Sequence, residues 1–416
     1  MTLAAPHAIV VLSGNELLDG RTRDVNGALV SRDLSARGAQ VAEVVTVADD
    51  PQLLGAALRH ALAAAPELLV VGGGLGTTHD DLTARCLADV LGAPLREHPG
   101  ALAMVREAAA RVAQRRHLDA DEVFDLARRQ ALLPSGAEPL APAGVAPGIL
   151  VRTGSTRIVA LPGVPFEFAA MWDVVAWRLE EEGFFPPVTR RVVRTWGIGE
   201  PQVARLIGDL PHDLLELGIT VGEGEVTVHL RHRREEDVVA QADAIVEALV
   251  ESPYVFSRDG RSVDEIVADR LRARGATLAV AESCTGGLVA ARLTALPGSS
   301  DYFVGGVVSY ANQAKIELLD VPPGMLAQYG AVSEPVAAAM AEGVRSSLGA
   351  DCALAVTGVA GPSGGSADKP VGRVFTACAC GDHTEVRAAT YPGDRDAVRR
   401  AAVTGALHLL REVIAT

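Results

Sequence analysis

The sequence predicts an α/β protein in which two three-layer α/β domains with largely parallel sheets are joined by a small α+β module. Short apolar runs alternate with helix-like segments in residues 1–170, and the same alternation returns in residues 257–416. Residues 171–256 have a different pattern, with two strand candidates flanking helix candidates. Alternation of strand and helix is typical of parallel sheets covered by helices on both faces. We therefore expect three domains with these bounds.

Composition supports this fold class and limits the ligands. The chain has 416 residues, more than one core usually organises, and its aromatic fraction is only 4%, so Ala, Val and Leu must fill the cores. The formal net charge of −14 opposes a nucleic-acid surface, which needs a positive field, so direct nucleic-acid binding is not expected. A small anionic substrate is compatible with this charge because a few arginines and a helix N-terminus can form a positive pocket.

The cysteines and the apolar runs indicate the compartment. The five cysteines are odd in number and contain no CxxC pair, so we expect reduced core residues. They are Cys86, Cys284, Cys352, Cys378 and Cys380. The N-terminus lacks the pattern of a signal peptide, and no apolar run reaches the roughly 18 residues of a membrane-spanning helix. We expect a cytoplasmic protein with no membrane partner.

The elements of the first domain follow from these patterns. Strands are predicted at residues 8–12, 41–47, 68–71 and 157–161. Helices are predicted at residues 26–37, 51–64, 80–91, 100–116 and 121–132. Asn26 is the expected N-cap of the first helix and Gly38 its stop. The Pro- and Gly-rich residues 134–147 are expected to form a loop.

The same patterns predict the strands and helices of the other two domains. In the middle module, strands are predicted at 190–196 and 225–230 and helices at 201–209 and 236–250. In the third domain, strands are predicted at 277–281, 303–310, 352–356, 374–379 and 384–389. Its helices are predicted at 263–274, between the strands at 277–281 and 303–310, from Ser333 onward as cap residue, and at 394–413.

A serine in the third domain lies where a strand becomes a helix. Residues 281–287 read Ala-Glu-Ser-Cys-Thr-Gly-Gly, which places Ser283 at the carboxyl edge of the sheet, where doubly wound folds bind ligands. The backbone N–H groups that follow, at Thr285, Gly286 and Gly287, can bind an oxyanion or a phosphate. The alternative is that Ser283 is only a helix N-cap.

A tyrosine and a lysine reach the same edge from the next strand. Tyr310 and Lys315 lie in a segment that runs from a strand end into a helix. A neutral, desolvated lysine can act as general base for a serine. The alternative for Lys315 is a solvent-facing helix residue.

Two later segments add anion-binding groups. The glycine-rich residues 357–365 offer backbone donors around Gly358, Ala360 and Gly361, although many such loops are simple turns. Residues 393–399 place Arg395 and Arg399 near a helix start, where guanidinium groups can clamp a phosphate.

These four segments, in this order, resemble the C-terminal domain of the competence/damage-inducible protein A (CinA) family, the nicotinamide-nucleotide amidohydrolases, over residues 263–413. The resemblance implies that Ser283 is the nucleophile and Lys315 the base, assisted by Tyr310, with Arg399 as a substrate-binding arginine. It implies conversion of nicotinamide mononucleotide to the nicotinate form with release of ammonia, without a metal or other cofactor. It also implies a homodimer.

The first domain has its own candidate site. Residues 72–81 form a glycine-rich loop between a strand and a helix, which suits an anionic ligand, and Asp80 and Asp81 could hold a hard divalent cation. The alternative is that one of the two only caps the helix. The other residues expected at this site lie at strand ends, in the loop or at helix starts. They are Glu16, Asn26, Gly73, Gly74 and Gly76.

Residues 9–172 resemble the molybdopterin-binding domain of molybdenum-cofactor biosynthesis proteins, as it occurs at the front of CinA proteins. There the domain is associated with metal-dependent hydrolysis of ADP-ribose, which implies a divalent metal (Mg²⁺ or Co²⁺) and K⁺ as cofactors. Two other functions are open: a molybdopterin-binding protein, and a non-enzymatic adaptor in competence or recombination.

Overall fold

The computed structural model describes residues 5–78, 81–210, 215–233 and 236–415. The chain divides into two compact units, Met1–Val188 and Thr189–Thr416. The expected boundary at residue 170 is corrected by this division, because it falls inside a helix, Pro165–Glu181, that packs Phe168 and Trp172 into the first core. The middle module and the third domain belong to the same unit.

The first unit alternates strands and helices around one sheet. Its elements are β1 (His7–Ser13), α1 (Asn15–Leu18), α2 (Asn26–Ala36), β2 (Gln40–Val47), α3 (Pro51–Ala63), β3 (Leu68–Gly72), α4 (Thr83–Leu91), β4 (Leu95–Glu97), α5 (Pro99–Arg116), α6 (Ala120–Ala127), β5 (Leu132–Pro134), β6 (Glu138–Leu140), β7 (Gly148–Thr153), β8 (Thr156–Leu161) and α7 (Pro165–Glu181). The six-stranded sheet has the order β2-β1-β3-β8-β7-β6. β2, β1, β3 and β8 are parallel, whereas β7 and β6 are antiparallel to their neighbours.

The three-layer architecture follows from the apolar strands. In β1, Ile9 and Val11 pack into one core cluster, whereas Ala8, Val10 and Leu12 pack into another. Because successive side chains of a strand point to opposite faces, a fully apolar strand must be covered on both sides. This confirms the predicted fold class for the first domain.

Two local predictions in this unit are wrong. The expected loop at 134–147 contains β6, a short strand that pairs with β7, and the sequence pattern gave no signal for either. Asn26 is not an N-cap: Val25 occupies the cap position, and the Asn26 side chain donates a hydrogen bond of 2.8 Å to the Gly163 carbonyl. Asp24 instead accepts a bond from the Gly27 N–H, so the acidic residue two positions earlier satisfies the helix start.

The second unit begins with the α+β module. Its elements are β9 (Val188–Trp196), α8 (Glu200–Ile207), β10 (Glu216–Gly222), β11 (Glu225–Arg233), α9 (Glu236–Val250) and β12 (Val255–Ser257). The sheet order is β10-β11-β9-β12, and β10 forms an antiparallel hairpin with β11. Side chains from the sheet and both helices, including Val193, Val203 and Ile245, share one core. β10 and β12 were not predicted.

The third domain repeats the three-layer design. Its elements are α10 (Val263–Arg274), β13 (Leu278–Glu282), α11 (Leu288–Thr294), β14 (Phe303–Val308), α12 (Asn312–Leu319), α13 (Pro323–Tyr329), α14 (Glu334–Leu348), β15 (Cys352–Gly358), β16 (Arg373–Cys380), β17 (His383–Thr390) and α15 (Arg395–Val413). The sheet order is β14-β13-β15-β16-β17, with β14, β13 and β15 parallel. Leu278 and Val280 pack into one core cluster, and Ala279 and Ala281 into the other.

Two cysteines of this domain form a pair that was not predicted. Cys352 and Cys380 are register partners on β15 and β16, with Cα atoms 4.2 Å apart, and they are joined as a disulfide. The expectation of five reduced cysteines is therefore corrected for this pair. The remaining three, Cys86, Cys284 and Cys378, are free and buried, as expected.

The module and the third domain contact each other through the tip of the β10–β11 hairpin. Glu223 accepts hydrogen bonds from Arg292 of α11 (2.9 Å) and from Thr404 of α15 (2.8 Å). Trp196 stacks on His408 at 4.1 Å between ring centroids, and the Nε2 of His408 lies 2.8 Å from Glu225. The module is therefore attached to the two helices α11 and α15. No described helix of either unit is long and apolar enough to cross a lipid bilayer.

Candidate active sites

Ser283 and Lys315 are in contact at the carboxyl edge of the second α/β sheet. Ser283 follows β13, and Lys315 lies in the first turn of α12, which follows β14. The Lys315 Nζ lies 3.1 Å from the Ser283 Oγ. Lys315 is only 1% exposed, so the solvent-facing alternative for this residue is excluded. The structure thus brings the two predicted residues together.

The surroundings of Lys315 favour its neutral form. Its Nζ donates hydrogen bonds to the Ser309 carbonyl (2.6 Å) and to the Tyr310 carbonyl (3.4 Å). Burial lowers the pKa of Lys315, because the charged amine loses its hydration. A neutral amine has two N–H donors and one lone pair. With both donors on carbonyls, the lone pair is available to accept the Ser283 hydroxyl proton.

Glu282, the carboxylate beside Ser283, was not predicted as a site residue. Glu282 is 1% exposed, and its carboxylate accepts the N–H groups of Gly287 (2.8 Å), Val289 (3.1 Å) and Ala290 (2.9 Å). The expectation that the Gly287 amide binds an oxyanion or phosphate is therefore wrong, since Glu282 uses that donor. The alternative that Ser283 caps α11 is also wrong, because Gly287 holds the cap position. A carboxylate just before a helix start was the available signal.

Two donors of the same turn stay free. The amide N–H groups of Cys284 and Thr285 make no hydrogen bond to another residue within the described part of the chain, whereas the Gly286 N–H bonds the Ser283 carbonyl. The hydroxyl of Thr285 is buried and likewise has no partner among the described residues. Buried unpaired polar groups are costly and usually bind water or a ligand. Burial raises the pKa of the Cys284 thiol to about 11, which disfavours its thiolate form near neutral pH.

Tyr310, Arg395 and Arg399 surround this turn. Tyr310 is 60% exposed, and its hydroxyl accepts a hydrogen bond of 2.8 Å from Arg395. Arg395 also donates to the Gly361 carbonyl at 2.7 Å. Arg399 donates to the carbonyls of Cys284 (3.2 Å) and Thr285 (2.7 Å). The predicted Arg399 thus lies beside the Ser283 turn, and Arg395 lies between Tyr310 and the glycine-rich loop.

The glycine-rich loop at residues 357–365 offers fewer ligand-binding groups than expected. Gly358 is the last residue of β15 and is paired with Val374, where an added Cβ would lie 2.8 Å from the Arg373 carbonyl. Ala360 is 4% exposed. Of the three residues predicted here, Gly361 is the one that contacts a charged group of the site, through Arg395.

The first unit contains a cavity of about 700 Å³ at the carboxyl edge of its sheet. It is lined by every residue predicted for this site that the structure describes. These are Glu16, Asn26, Gly73, Gly74, Gly76 and Asp81. Gly73 adopts a φ of +98°, and an added Cβ would lie 2.3 Å from the Ser13 carbonyl, so this position requires glycine. Asp24 and Asp49, which lie at strand ends or helix starts and could add oxygen ligands, also line the cavity, as does Glu167.

The carboxylates that the structure describes at this cavity do not form a cluster that could hold a metal. Asp80 lies outside the described residues. Asp81 accepts hydrogen bonds from the N–H (2.7 Å) and the hydroxyl (2.6 Å) of Thr78, so it closes its own loop rather than capping α4, which begins at Thr83. Among the described residues, no three His, Cys, Asp or Glu side chains are close enough to hold a metal. Burial raises the pKa of Glu167, because the charged carboxylate loses its hydration.

The fold and the two sites define a chain that joins an α/β domain with a glycine-floored cavity to a second α/β domain with a buried serine–lysine pair. The chain belongs to the CinA family. Family models match at residues 9–181 (probable molybdopterin binding domain), 190–252 (damage-inducible protein CinA KH domain) and 260–414 (CinA C-terminal domain).

Full-length relatives support this membership. The chain is 40% identical over 418 residues to a putative competence-damage inducible protein of Desulforudis audaxviator, covering 98% of each chain. It is equally 40% identical over 418 residues to a CinA-like protein of a Geobacter species, again covering 98% of each chain. A crystal structure of the competence/damage inducible protein CihA from Agrobacterium tumefaciens is 38% identical, covering 38% of this chain and 98% of that chain, with a TM-score of 0.36.

Proposed function

We propose that the C-terminal domain hydrolyses the carboxamide of nicotinamide mononucleotide, giving nicotinate mononucleotide and ammonia. The observation that carries the proposal is the 3.1 Å contact between the Ser283 hydroxyl and the buried amine of Lys315. A serine is a weak nucleophile unless an adjacent base takes its proton, and a lysine of lowered pKa supplies that base without a metal.

The reaction uses groups that are already in place. Lys315 takes the Ser283 proton while the Ser283 oxygen attacks the amide carbon, and the N–H groups of Cys284 and Thr285 are the free donors for the resulting oxyanion. The Lys315 ammonium then protonates the amide nitrogen, which leaves as ammonia when the C–N bond breaks, and an ester remains on Ser283. Lys315 next deprotonates a water molecule that attacks this ester. It returns that proton to the Ser283 oxygen when the ester bond breaks, and the acid product leaves and ionises to the carboxylate.

The test is ammonia release from nicotinamide mononucleotide by the full chain. Ser283→Ala is expected to lower kcat on the order of 10³-fold or more, since nucleophile and base act as one unit. Cys378→Ser, a buried residue of the same sheet outside the site, is the matched control. Undiminished turnover by Ser283→Ala would remove Ser283 from its role.

We propose that the N-terminal domain hydrolyses ADP-ribose with the help of a divalent cation. A cavity of about 700 Å³ is of the size that binds a ligand of this class, and its floor of residues 72–76 offers backbone to a pyrophosphate. A pterin is the competing ligand for the same cavity. Purified protein that carries a bound pterin and leaves ADP-ribose intact would support the pterin instead.

A binding role in competence or recombination is the remaining alternative. The net charge of −14 disfavours direct contact with DNA. A submicromolar, salt-sensitive complex of the full chain with duplex DNA would support it.

A further inference from the structure

Five carboxylates of the described chain line the cavity of the first unit, and two of them have no hydrogen-bond partner there. The five are Glu16, Asp24, Asp49, Asp81 and Glu167. Asp24, Asp49 and Asp81 accept hydrogen bonds from backbone N–H or hydroxyl groups, so they stabilise the loops that form the cavity. Glu16 and Glu167 accept none from another described residue. These two carboxylates therefore remain for a ligand.

The two free carboxylates flank the glycine-rich floor of the cavity. In the sheet, β3 lies between β1 and β8, and all three strands are parallel. The floor, residues 72–76, begins at the end of β3, whereas Glu16 follows β1 and Glu167 follows β8. Neighbouring strands are about 4.8 Å apart, so an anion on this floor has one of the two carboxylates on each side.

Glu167 is held more firmly than Glu16. It lies in the first turn of α7, which packs Phe168 and Trp172 completely into the core. Glu16 lies in α1, a helix of four residues without a buried side chain. A group that exchanges a proton with a reacting molecule must be held in a fixed position, and of the two carboxylates Glu167 meets this requirement.

The Glu167 carboxylate lies against a loop that leaves space for it. A Cβ added to Gly144 would lie 2.1 Å from the Glu167 Oε1, so a larger residue there would displace the carboxylate. Burial raises the pKa of Glu167, and no charged neighbour among the described residues offsets this effect. The raised pKa makes this carboxylate a stronger base than an ordinary glutamate.

The chemistry of a pyrophosphate determines which proton transfer needs a residue. When water attacks phosphorus, the leaving group is a phosphate monoester, which is stable as an anion and needs no added proton. The attacking water, in contrast, must lose a proton. A base that orients and deprotonates this water is therefore the group that the reaction requires from the chain.

We propose that Glu167 is the general base that takes a proton from the attacking water when the N-terminal domain hydrolyses a pyrophosphate. The proposal rests on the proposed hydrolysis of ADP-ribose. The water oxygen bonds to phosphorus, the bond between that phosphorus and the bridging oxygen breaks, and Glu167 receives the water proton and later releases it to solvent. The products are AMP and ribose 5-phosphate.

The first experiment measures AMP formation from ADP-ribose by the full chain, with a divalent cation present, as a function of pH. Because the base must be ionised and burial raises its pKa from 4.5, wild-type kcat should increase with pH through an inflection above pH 4.5. Glu167→Gln should lower kcat on the order of 10²- to 10⁴-fold and remove this inflection. Glu16→Gln should retain the inflection. Glu180→Gln, whose side chain is 63% exposed on the same helix, is the matched control and should behave as the wild type.

A second variant moves the carboxylate without removing it. Gly144→Ala should leave the stability close to that of the wild type, because only the flexible end of the Glu167 side chain has to move. We expect kcat to fall roughly 10- to 100-fold, since a displaced base loses its alignment with the water. In the double variant Gly144→Ala/Glu167→Gln, the alanine should cause no further loss, because the group that it displaces is absent.

Calorimetry of the full chain separates a catalytic role from a structural one. ADP-ribose should bind Glu167→Gln at least as tightly as the wild type, since a negative charge beside an anionic ligand has been removed. Loss of this binding, full activity of Glu167→Gln, or an inflection that disappears in Glu16→Gln instead would overturn the assignment of the base alone. A wild-type chain that binds ADP-ribose and leaves it intact would refute the hydrolysis itself, and the base with it.

Discussion

The amine of Lys315 lies 3.1 Å from the hydroxyl oxygen of Ser283, and the Lys315 side chain is buried. Two backbone carbonyls, those of Ser309 and Tyr310, orient the amine. Burial lowers the pKa of Lys315, and this shift has consequences that can be measured.

The first consequence is a pH dependence of the proposed amidase. Because burial lowers the pKa of Lys315 from the ordinary 10.5, kcat/KM should rise with pH and level off below pH 10.5. Lys315→Arg keeps its charge at every pH, so we expect a loss on the order of 10²- to 10⁴-fold throughout. A wild-type profile without any inflection below pH 10.5 contradicts this role for Lys315.

The second consequence concerns stability. The folded-state pKa of Lys315 lies below its unfolded value, so between the two values the unfolded chain binds a proton that the folded chain does not. Wild-type stability should therefore rise with pH in that window relative to Lys315→Met, by about 1.4 kcal/mol per pH unit. Below the folded pKa, the cost of the buried charge is fully present.

This difference can be measured by urea unfolding of both chains from neutral pH to pH 10. Lys369→Met is the matched control, because Lys369 is partly exposed and bonds a single carbonyl, that of Tyr329. A constant difference between wild type and Lys315→Met over this range contradicts the prediction.

The third prediction concerns Glu282. Glu282→Ala leaves three backbone N–H groups at the start of α11 without an acceptor, and we expect the free energy of unfolding to fall by about 3 kcal/mol or more. Asp394→Ala removes an exposed N-cap carboxylate with one acceptor bond, to Ala397, and should cost about 1 kcal/mol. Faster hydrogen exchange confined to residues 283–294 would show that Glu282→Ala acts at the start of α11. Equal losses of unfolding free energy in the two variants would contradict the prediction.

The sequence predicted those parts of the site and the fold that follow from strand order, and it did not predict those that depend on packing between distant segments of the chain. Ser283 and Lys315 could be named because each follows a strand of a parallel sheet, and such strand ends meet at one edge. Glu282 could not be assigned, because a carboxylate next to a helix start can face solvent or its own backbone, and only packing decides. The Cys352–Cys380 pair was missed for a related reason, since its register depends on two strands separated by a long loop. The strands β6 and β12 have three residues each, too few for an alternation to be recognised locally. In β10 the apolar residues Leu217, Ile219 and Val221 alternate, but the strand also contains Gly218 and Gly222, and glycine is depleted in strands.

The fourth prediction separates the two proposed activities. Asp81→Ala removes the carboxylate that closes the Thr78 loop at the cavity of the first unit. We expect ADP-ribose hydrolysis to fall on the order of 10²-fold, because groups that bind the pyrophosphate are no longer held in place. Ammonia release from nicotinamide mononucleotide should be unchanged. A metal chelator should have the same selective effect, and its failure to inhibit ADP-ribose hydrolysis would exclude the divalent cation.

The fifth prediction concerns the attachment of the α+β module to helices α11 and α15 of the third domain. Glu223 accepts bonds from both Arg292 of α11 and Thr404 of α15, and Arg292 is also held by Asp264 at 2.6 Å. Removal of the Glu223 carboxylate leaves partly buried donors unpaired, so Glu223→Ala should lower the stability of the second unit by about 2 kcal/mol. Because α11 follows the Ser283 turn directly, hydrogen exchange should rise there as well as in the hairpin.

The same hairpin provides a control for this variant. Glu216 is paired with Arg231 at the opposite end of β10, and its side chain is 68% exposed. Exposed ion pairs contribute little, so Glu216→Ala should change stability by less than about 0.5 kcal/mol and leave exchange in α11 unchanged. If Glu223→Ala behaves like Glu216→Ala, the hairpin tip contacts the third domain without stabilising it. If it loosens α11, the module helps to hold the helix on which the geometry of Ser283 depends.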